Sequence, residues 1–189
     1  MPTFISHAAV PLGVGLGLGS KTISRPLLAC GVIASVVPDL DVVGFKLGIP
    51  YSAALGHRGF SHSFVFAAVV AIAGSLAVQN YKTSFTSAIW FLFLSTVSHG
   101  LLDTLTTGGK GIALLWPFSD QRFFAPVQVI KVSPISISRF FTGRGYAVLI
   151  SEAAWVWLPA IIIGLSLFLI RKYRRPNLPF NPDPTATVS

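Results

Sequence analysis

Thiols, carboxylates and imidazoles are all scarce in this chain. Its 189 residues include one cysteine, six acidic residues and four histidines. The single Cys30 excludes an internal disulfide and a cysteine-based zinc site, so any metal must be held by imidazoles and carboxylates. Charge is scarce as well: 11% of residues are charged and 52% are hydrophobic, against roughly 25% charged in an average soluble domain. With a mean hydropathy of +0.71, that much apolar side chain cannot all be hidden in a soluble core of this size. The composition therefore points to an integral membrane protein. The first apolar stretch lacks a basic leader and a cleavage site, so it does not read as a signal peptide. The net charge of +8 does not argue for nucleic acid. The basic residues fall in short connections and in the tail, as topology signals do, and no nucleic-acid partner is expected.

What is present is a series of apolar runs. Residues 4–19 contain Gly13, Gly15, Gly17 and Gly19; alternate glycines weaken a helix but allow close packing in a membrane. Residues 26–37 form a second run, continued over 42–45, and 64–79, 85–103 and 146–170 form three more. Ser61 is the expected N-cap of the run after it. The expected fold class is all-α, a polytopic membrane protein with about four to five membrane segments and a metal site at one membrane face. Residues 1–175 make the membrane-embedded domain, and 176–189, with four prolines, a disordered tail. The segment 104–145 interleaves aromatics with basic residues and is expected to cover the site at headgroup level, with Trp116, Phe118, Arg122 and Phe123 there.

The few polar side chains are placed selectively. Pro38-Asp39-Leu40-Asp41 closes one apolar run, His57-Arg58-Gly59-Phe60-Ser61-His62-Ser63 opens another, and His99-Gly100-Leu101-Leu102-Asp103 ends a third. Asp at membrane depth is costly unless paired or ligating. The basic run Arg171–Arg175 places the C-terminus in the cytoplasm. Alternating backwards, His7, Asp39, Asp41, His57, His62, His99, Asp103 and Glu152 all reach the opposite membrane face.

That convergence suggests a shared metal site. His99 and Asp103, four apart, project from one helix face. His57 and His62 suit one ligand in a loop and one on the helix that follows. Of Asp39 and Asp41, one can bridge two cations while the other orients a histidine. A thiolate-free set fits Zn, Mn or Fe. Two such ions would activate water and stabilise the leaving oxygen of a phosphoester, and Arg58 would meet the phosphate through paired donors. Asp39, Asp41 and Arg58 are the expected catalytic residues. His7, Asp41, His57, His62, His99, Asp103 and Glu152 are the expected ligands.

In these motifs, with Thr3-Phe4-Ile5-Ser6-His7 and Leu115-Trp116-Pro117-Phe118, the chain resembles the YdjM-like, LexA-regulated inner-membrane proteins over roughly residues 1–170. The resemblance implies a metal-dependent hydrolase and a place in the SOS response. A more distant likeness is to the zinc-dependent phospholipase C and P1 nuclease class. His7, Asp41, His57 or His62, and His99 with Asp103 follow the order of that class's ligands. Glu152 could supply its later Glu, but Val148 stands where the accompanying His would be, which favours one or two metals over three. The expected activity is hydrolysis of a phosphoester in a lipid or lipid-linked substrate at the bilayer, with zinc the favoured ion. Two rivals compete. A metal transporter is disfavoured because 64–79 and 85–98 carry no charge. A non-enzymatic stress-response or scaffold protein with a structural metal is the alternative.

Overall fold

A computed structural model of the chain describes residues 2–79, 83–133, 140–141 and 143–174. The expected tail 176–189, Arg175 of the basic run and Lys82 lie outside the described residues. The chain forms α1 (Phe4–His7), α2 (Ala9–Leu18) and α3 (Arg25–Ala34), then a 3-10 turn over Val37–Val42 that runs into α4 (Val43–Lys46). A second 3-10 turn, Phe60–His62, leads into α5 (Phe64–Val78) and then α6 (Phe85–Thr104). Helix α7 (Gly143–Glu152) joins α8 (Leu158–Tyr173) through a π-helical turn at Ala153–Trp157. Pro159 explains that turn: it has no N–H to give the carbonyl four residues back, so the helix widens before it.

Three helical runs are long and apolar enough to cross a membrane: Arg25–Lys46, Phe85–Thr104 and Gly143–Tyr173. Phe4–Leu18 and Phe64–Val78 are apolar but shorter. At 1.5 Å per residue the latter reaches only about 22 Å, less than the roughly 30 Å hydrocarbon core. Of the four to five expected segments, three therefore meet the length of a span and two pack among them.

Two close pairs build the bundle, α2 on α8 and α5 on α6, with α3 between them. Small residues set the first pair. A Cβ on Gly13 would strike the carbonyl of Ala160, and one on Gly17 would lie 2.6 Å from the carbonyl of Gly164, so the two backbones meet as membrane helices with small-residue seams do. Between α3, α5 and α6 the core is Leu27, Ala34, Ala71, Phe91 and Leu92. The outer face of α8 exposes Ile161, Ile162, Leu165 and Leu169, the surface a lipid tail would cover. Ser63, not Ser61, caps α5, accepting from Phe66 N at 3.1 Å. Ser61 is drawn away by Asp41, to which its hydroxyl donates at 2.6 Å.

This topology gives the bundle two unlike ends. α1, the Val37–Val42 turn, the Phe60–His62 turn, the last turn of α6 and the start of the α7–α8 unit meet at one end. Gly19–Ser24, Thr83 and the last turn of α8 lie at the other, where Ser24 and Thr83 share a hydrogen bond of 2.8 Å. The segment after α6 folds over the first end. Ile112 and Phe123 pair as a bridge, Thr106 and Ile130 as another, and Ile112 and Ile130 are fully buried. Phe118 is exposed, as expected of the cover. Arg122 instead turns inward and donates to the carbonyls of His57 (3.1 Å), Ala53 (3.1 Å) and Tyr51 (3.3 Å). It clips the cover to the α4–α5 loop.

Candidate metal centre

Each polar residue arrives at the first end for a local reason. Pro38 opens the 3-10 turn after α3, and in that tight winding Asp39 and Asp41 leave in different directions. Asp39 points into the bundle, towards His99 Nε2 at 3.4 Å and His62 Nε2 and His7 Nε2, each at 3.8 Å. Asp41 points to the α4–α5 loop, where it meets His57 Nδ1 at 2.5 Å, the Arg58 backbone N–H at 3.0 Å and Ser61. Arg58 takes a left-handed backbone, φ 64°, which costs a non-glycine residue about 1–2 kcal/mol. That bend lets its N–H reach Asp41 while its carbonyl accepts from Ala113 N at 3.1 Å.

His99 and Asp103 lie one turn apart on α6, as their spacing predicts. His99 Nδ1 donates to the carbonyl of Ser35 at 2.7 Å, which fixes the tautomer and leaves the Nε2 lone pair facing the cluster. His62 Nε2 lies 3.0 Å from it and 3.5 Å from Asp103 Oδ2. His7 stacks on the His99 ring, centroids 3.6 Å apart, with its Nε2 3.8 Å from Asp103 Oδ1.

Two overlapping groups result. Asp39, His62, His99 and Asp103 each offer a ligand atom, all within 4.8 Å of one another; Asp39, Asp41 and His57 do the same. The contacts quoted within the first group run from 3.0 to 3.8 Å, close to the roughly 3.3 Å edge of a tetrahedron with zinc-ligand bonds of about 2.0–2.1 Å. Asp39 belongs to both groups. Polar accounting points the same way. Among the described residues, both ring nitrogens of His7 and both oxygens of Asp39 are buried without a hydrogen-bond partner, and an unsatisfied buried polar group costs about 1–3 kcal/mol. Burial alone would hold His62 neutral, but Asp103 and Asp41 beside it push its pKa up to about 9, so a cation at this centre would have to displace that proton before the ring could ligate. Imidazole and carboxylate donors facing a common centre fit a borderline divalent cation.

The remaining expected residues sit otherwise. Arg58 is fully buried with its guanidinium occupied: Nε lies 3.1 Å from Asp103 Oδ2, Nη1 donates to Gly108 O at 2.8 Å and Nη2 to Thr106 Oγ1 at 3.0 Å. Glu152 belongs to neither ligand group. It accepts from Thr3 N (2.6 Å), Thr3 Oγ1 (2.7 Å) and Ser6 Oγ (2.7 Å). Sequence reasoning missed three contributors: Ser61, Thr106 and the Ser35 carbonyl. Ser61 stands beside His62, which was a usable signal; a backbone carbonyl leaves none.

A cleft of about 390 Å³ reaches this site from outside. It is lined by Val37, Leu40, Val43, Leu55 and Phe66, with Asp41 and Ser61 on its wall.

Fold and site together define a helical membrane protein with a buried His/Asp cluster that could hold a metal ion. The chain belongs to the YdjM inner membrane protein family, whose model matches residues 1–176. It is 52% identical over 164 residues to the inner membrane protein YbcI of Escherichia coli K12, covering 86% of this chain and 95% of that one. It is 31% identical over 112 residues to the inner membrane protein YdjM of the same organism, covering 54% and 55%. The Shigella flexneri YdjM protein matches to the same extent. No solved structure matches. The chain is an inner-membrane protein.

Proposed function

We propose that this is a metal-dependent hydrolase acting on a phosphoester in a lipid or lipid-linked substrate. One observation carries the reading. A buried cluster containing partnerless atoms of His7 and Asp39 adjoins a largely apolar cleft with Asp41 and Ser61 on its wall. Asp39, His62, His99 and Asp103 would hold the first ion, zinc or else Mn or Fe. Asp39, Asp41 and His57 would hold or orient a second, with His7 completing the shell. Such an ion supplies Lewis-acid polarisation of a phosphoryl oxygen and acidifies water.

The chain's own groups supply the rest. Asp41 accepts from Nδ1 of His57 and so fixes which ring nitrogen can hold or move a proton. Ser61 donates to Asp41 and so holds its carboxylate between His57 and His62. Arg58, whose Nε, Nη1 and Nη2 each have a partner inside the fold, would hold Asp103 in position rather than meet phosphate. Glu152 ties Thr3 and Ser6 and thereby sets the helical turn that carries His7. The apolar cleft would take the tail of the substrate, leaving its phosphate at Asp41. The C-terminus would be cytoplasmic and the site at the opposite face.

Metal analysis of purified protein, with assays on a soluble phosphodiester and on phospholipid in mixed micelles, tests this reading. About one or two divalent ions per chain and turnover of the lipid substrate are expected, with turnover lost in His99→Ala and Asp103→Asn. Metal-loaded protein that turns over neither substrate refutes it. A second reading has its own support: His7, Asp39, His99 and Asp103 are fully buried, as suits a structural metal in a non-enzymatic membrane protein.

A further inference from the structure

We propose that the opposite end of the bundle binds an anionic phospholipid. The phosphate would sit in a basic cleft between the end of α2, the α2–α3 turn and α8, and one acyl chain would lie in the adjoining apolar groove. The cleft encloses about 530 Å³ and is lined by Lys21, Arg25 and Arg171 together with Gly19, Thr22 and Leu28. Charge is segregated around it. Asp39, Asp41, Asp103, Asp120 and Glu152 all belong to the metal-cluster end, and Asp183 lies outside the described residues. Lys21 and Arg25 are exposed, and no ion pair engages either among the described residues.

Arg171 is held for the purpose. Its Nη1 reaches the Leu16 carbonyl at 3.5 Å and its guanidinium carbon stands 5.2 Å over the Phe168 ring. Gly19, at φ +78°, leaves the space this needs; a Cβ there would collide with the guanidinium. A planar cation held at a membrane boundary beside two exposed ones suits a phosphodiester, which guanidinium grips through paired donors. Below it runs a groove of about 370 Å³ between α2 and α8, lined by Gly13, Leu16, Gly17, Gly164, Leu165 and Phe168. Leu16 lines both cavities, so headgroup and chain sites are continuous. A bias of basic residues towards one membrane side accounts for the positive charge. It does not account for a fixed guanidinium over an apolar groove, which is how a lipid-specific basic pocket is built.

The test uses full-length protein purified in dodecyl maltoside and stripped of lipid. Dioleoylphosphatidylglycerol, dioleoylphosphatidylcholine and inorganic phosphate are titrated against the thermal midpoint, since a ligand of the native state raises it. Saturable stabilisation by phosphatidylglycerol alone is expected. Lys21→Gln and Arg171→Gln should each weaken it about tenfold, the effect of one charge-assisted contact. Leu165→Trp, which fills the groove, should also weaken it. Lys172→Gln with Arg174→Gln, at the same end but outside the cleft, should not. Should Arg171→Gln fail to fold, Lys21→Gln and Arg25→Gln decide, because both side chains are exposed. Equal stabilisation by phosphatidylcholine overturns the proposal, as does equal loss in the Lys172/Arg174 double variant, which would mean diffuse charge. Saturation by inorganic phosphate with no effect of Leu165→Trp also overturns it, in favour of a free-anion site.

Discussion

Of the carboxylates buried at one end of this bundle, Glu152 and Asp39 are treated in opposite ways. Glu152 is closed by the chain itself: Thr3 gives it a backbone and a side-chain proton, Ser6 gives a third, and the Trp157 indole donates in turn to Ser6 Oγ at 3.1 Å. Asp39 has no donor that close among the described residues: it faces the rings of His99, His62 and His7, at 3.4 to 3.8 Å. Both lie out of water, where an ion without partners is costly. Glu152 is stabilised by protons the fold provides, whereas Asp39 and its three imidazoles converge on a centre that only a cation, or protons taken up by the rings, can balance. Burial therefore does not separate a structural acid from a ligand. The count of hydrogen bonds does.

The largest expected effect comes from removing the open carboxylate. Asp39→Asn should bring bound metal below about a tenth of wild type and lower stability by about 3–5 kcal/mol, the cost of breaking a buried charged cluster. A chelator should reproduce most of that loss in the wild type and do little further in the variant. Unchanged metal content in Asp39→Asn would end the assignment of a shared centre. Glu152→Gln is the counterpart. It gives up charge-assisted hydrogen bonds and should cost about 1.5–3 kcal/mol, yet keep its metal and its sensitivity to chelator. Loss of metal in Glu152→Gln to the extent seen for Asp39→Asn would erase the distinction and make Glu152 a ligand.

His57→Ala tests the other side of Asp39. It removes one hydrogen bond from Asp41 and should cost roughly 1.5 kcal/mol. The deeper ion, held by Asp39, His62, His99 and Asp103, should stay bound while phosphoester turnover disappears. Metal analysis beside the lipid assay reads both; full turnover without His57 would remove it from the proton pathway.

The sequence supports the gathering of the site more readily than its internal assignments. The four-residue spacing of His99 and Asp103 already puts both on one face of α6, and alternation of the apolar runs brings His7, Asp39 and His62 to the same end. Those inferences need only periodicity and hydropathy. The spans are harder: Phe64–Val78 is as apolar as a crossing helix but, at 15 residues, shorter than one. Harder still are the partners. Whether Arg58 meets a ligand or Asp103 depends on a left-handed bend that its sequence neighbours do not announce. Whether Glu152 ligates or caps depends on the backbone N–H of Thr3, nearly the whole chain away. Ser61 and Ser63 are chemically alike and two residues apart, so which one caps α5 is decided by the position of Asp41 in space.

Ser61 also supplies the smallest expected effect, and it sharpens the contrast because Asp41 stands between the two regimes. Asp41 has partners of its own, as Glu152 does, but it also belongs to a ligand group, as Asp39 does. Removing the Ser61 hydroxyl leaves Asp41 with the Arg58 N–H and His57, and leaves His62 Nδ1 without its 2.9 Å neighbour. Neither residue becomes fully unpaired, so Ser61→Ala should cost only about 1 kcal/mol, one ordinary hydrogen bond, with metal content unchanged. If Asp41 behaves as a closed structural acid, turnover should be untouched as well. If it orients His57 for proton transfer, the hydroxyl's loss should lower kcat several-fold with KM unchanged, since the hydrogen bond acts on alignment rather than on substrate binding. The second outcome is expected, because Asp41 lines the apolar cleft whereas Glu152 does not. A change in KM alone would instead make Ser61 a contact for substrate and leave Asp41 without a part in the chemistry.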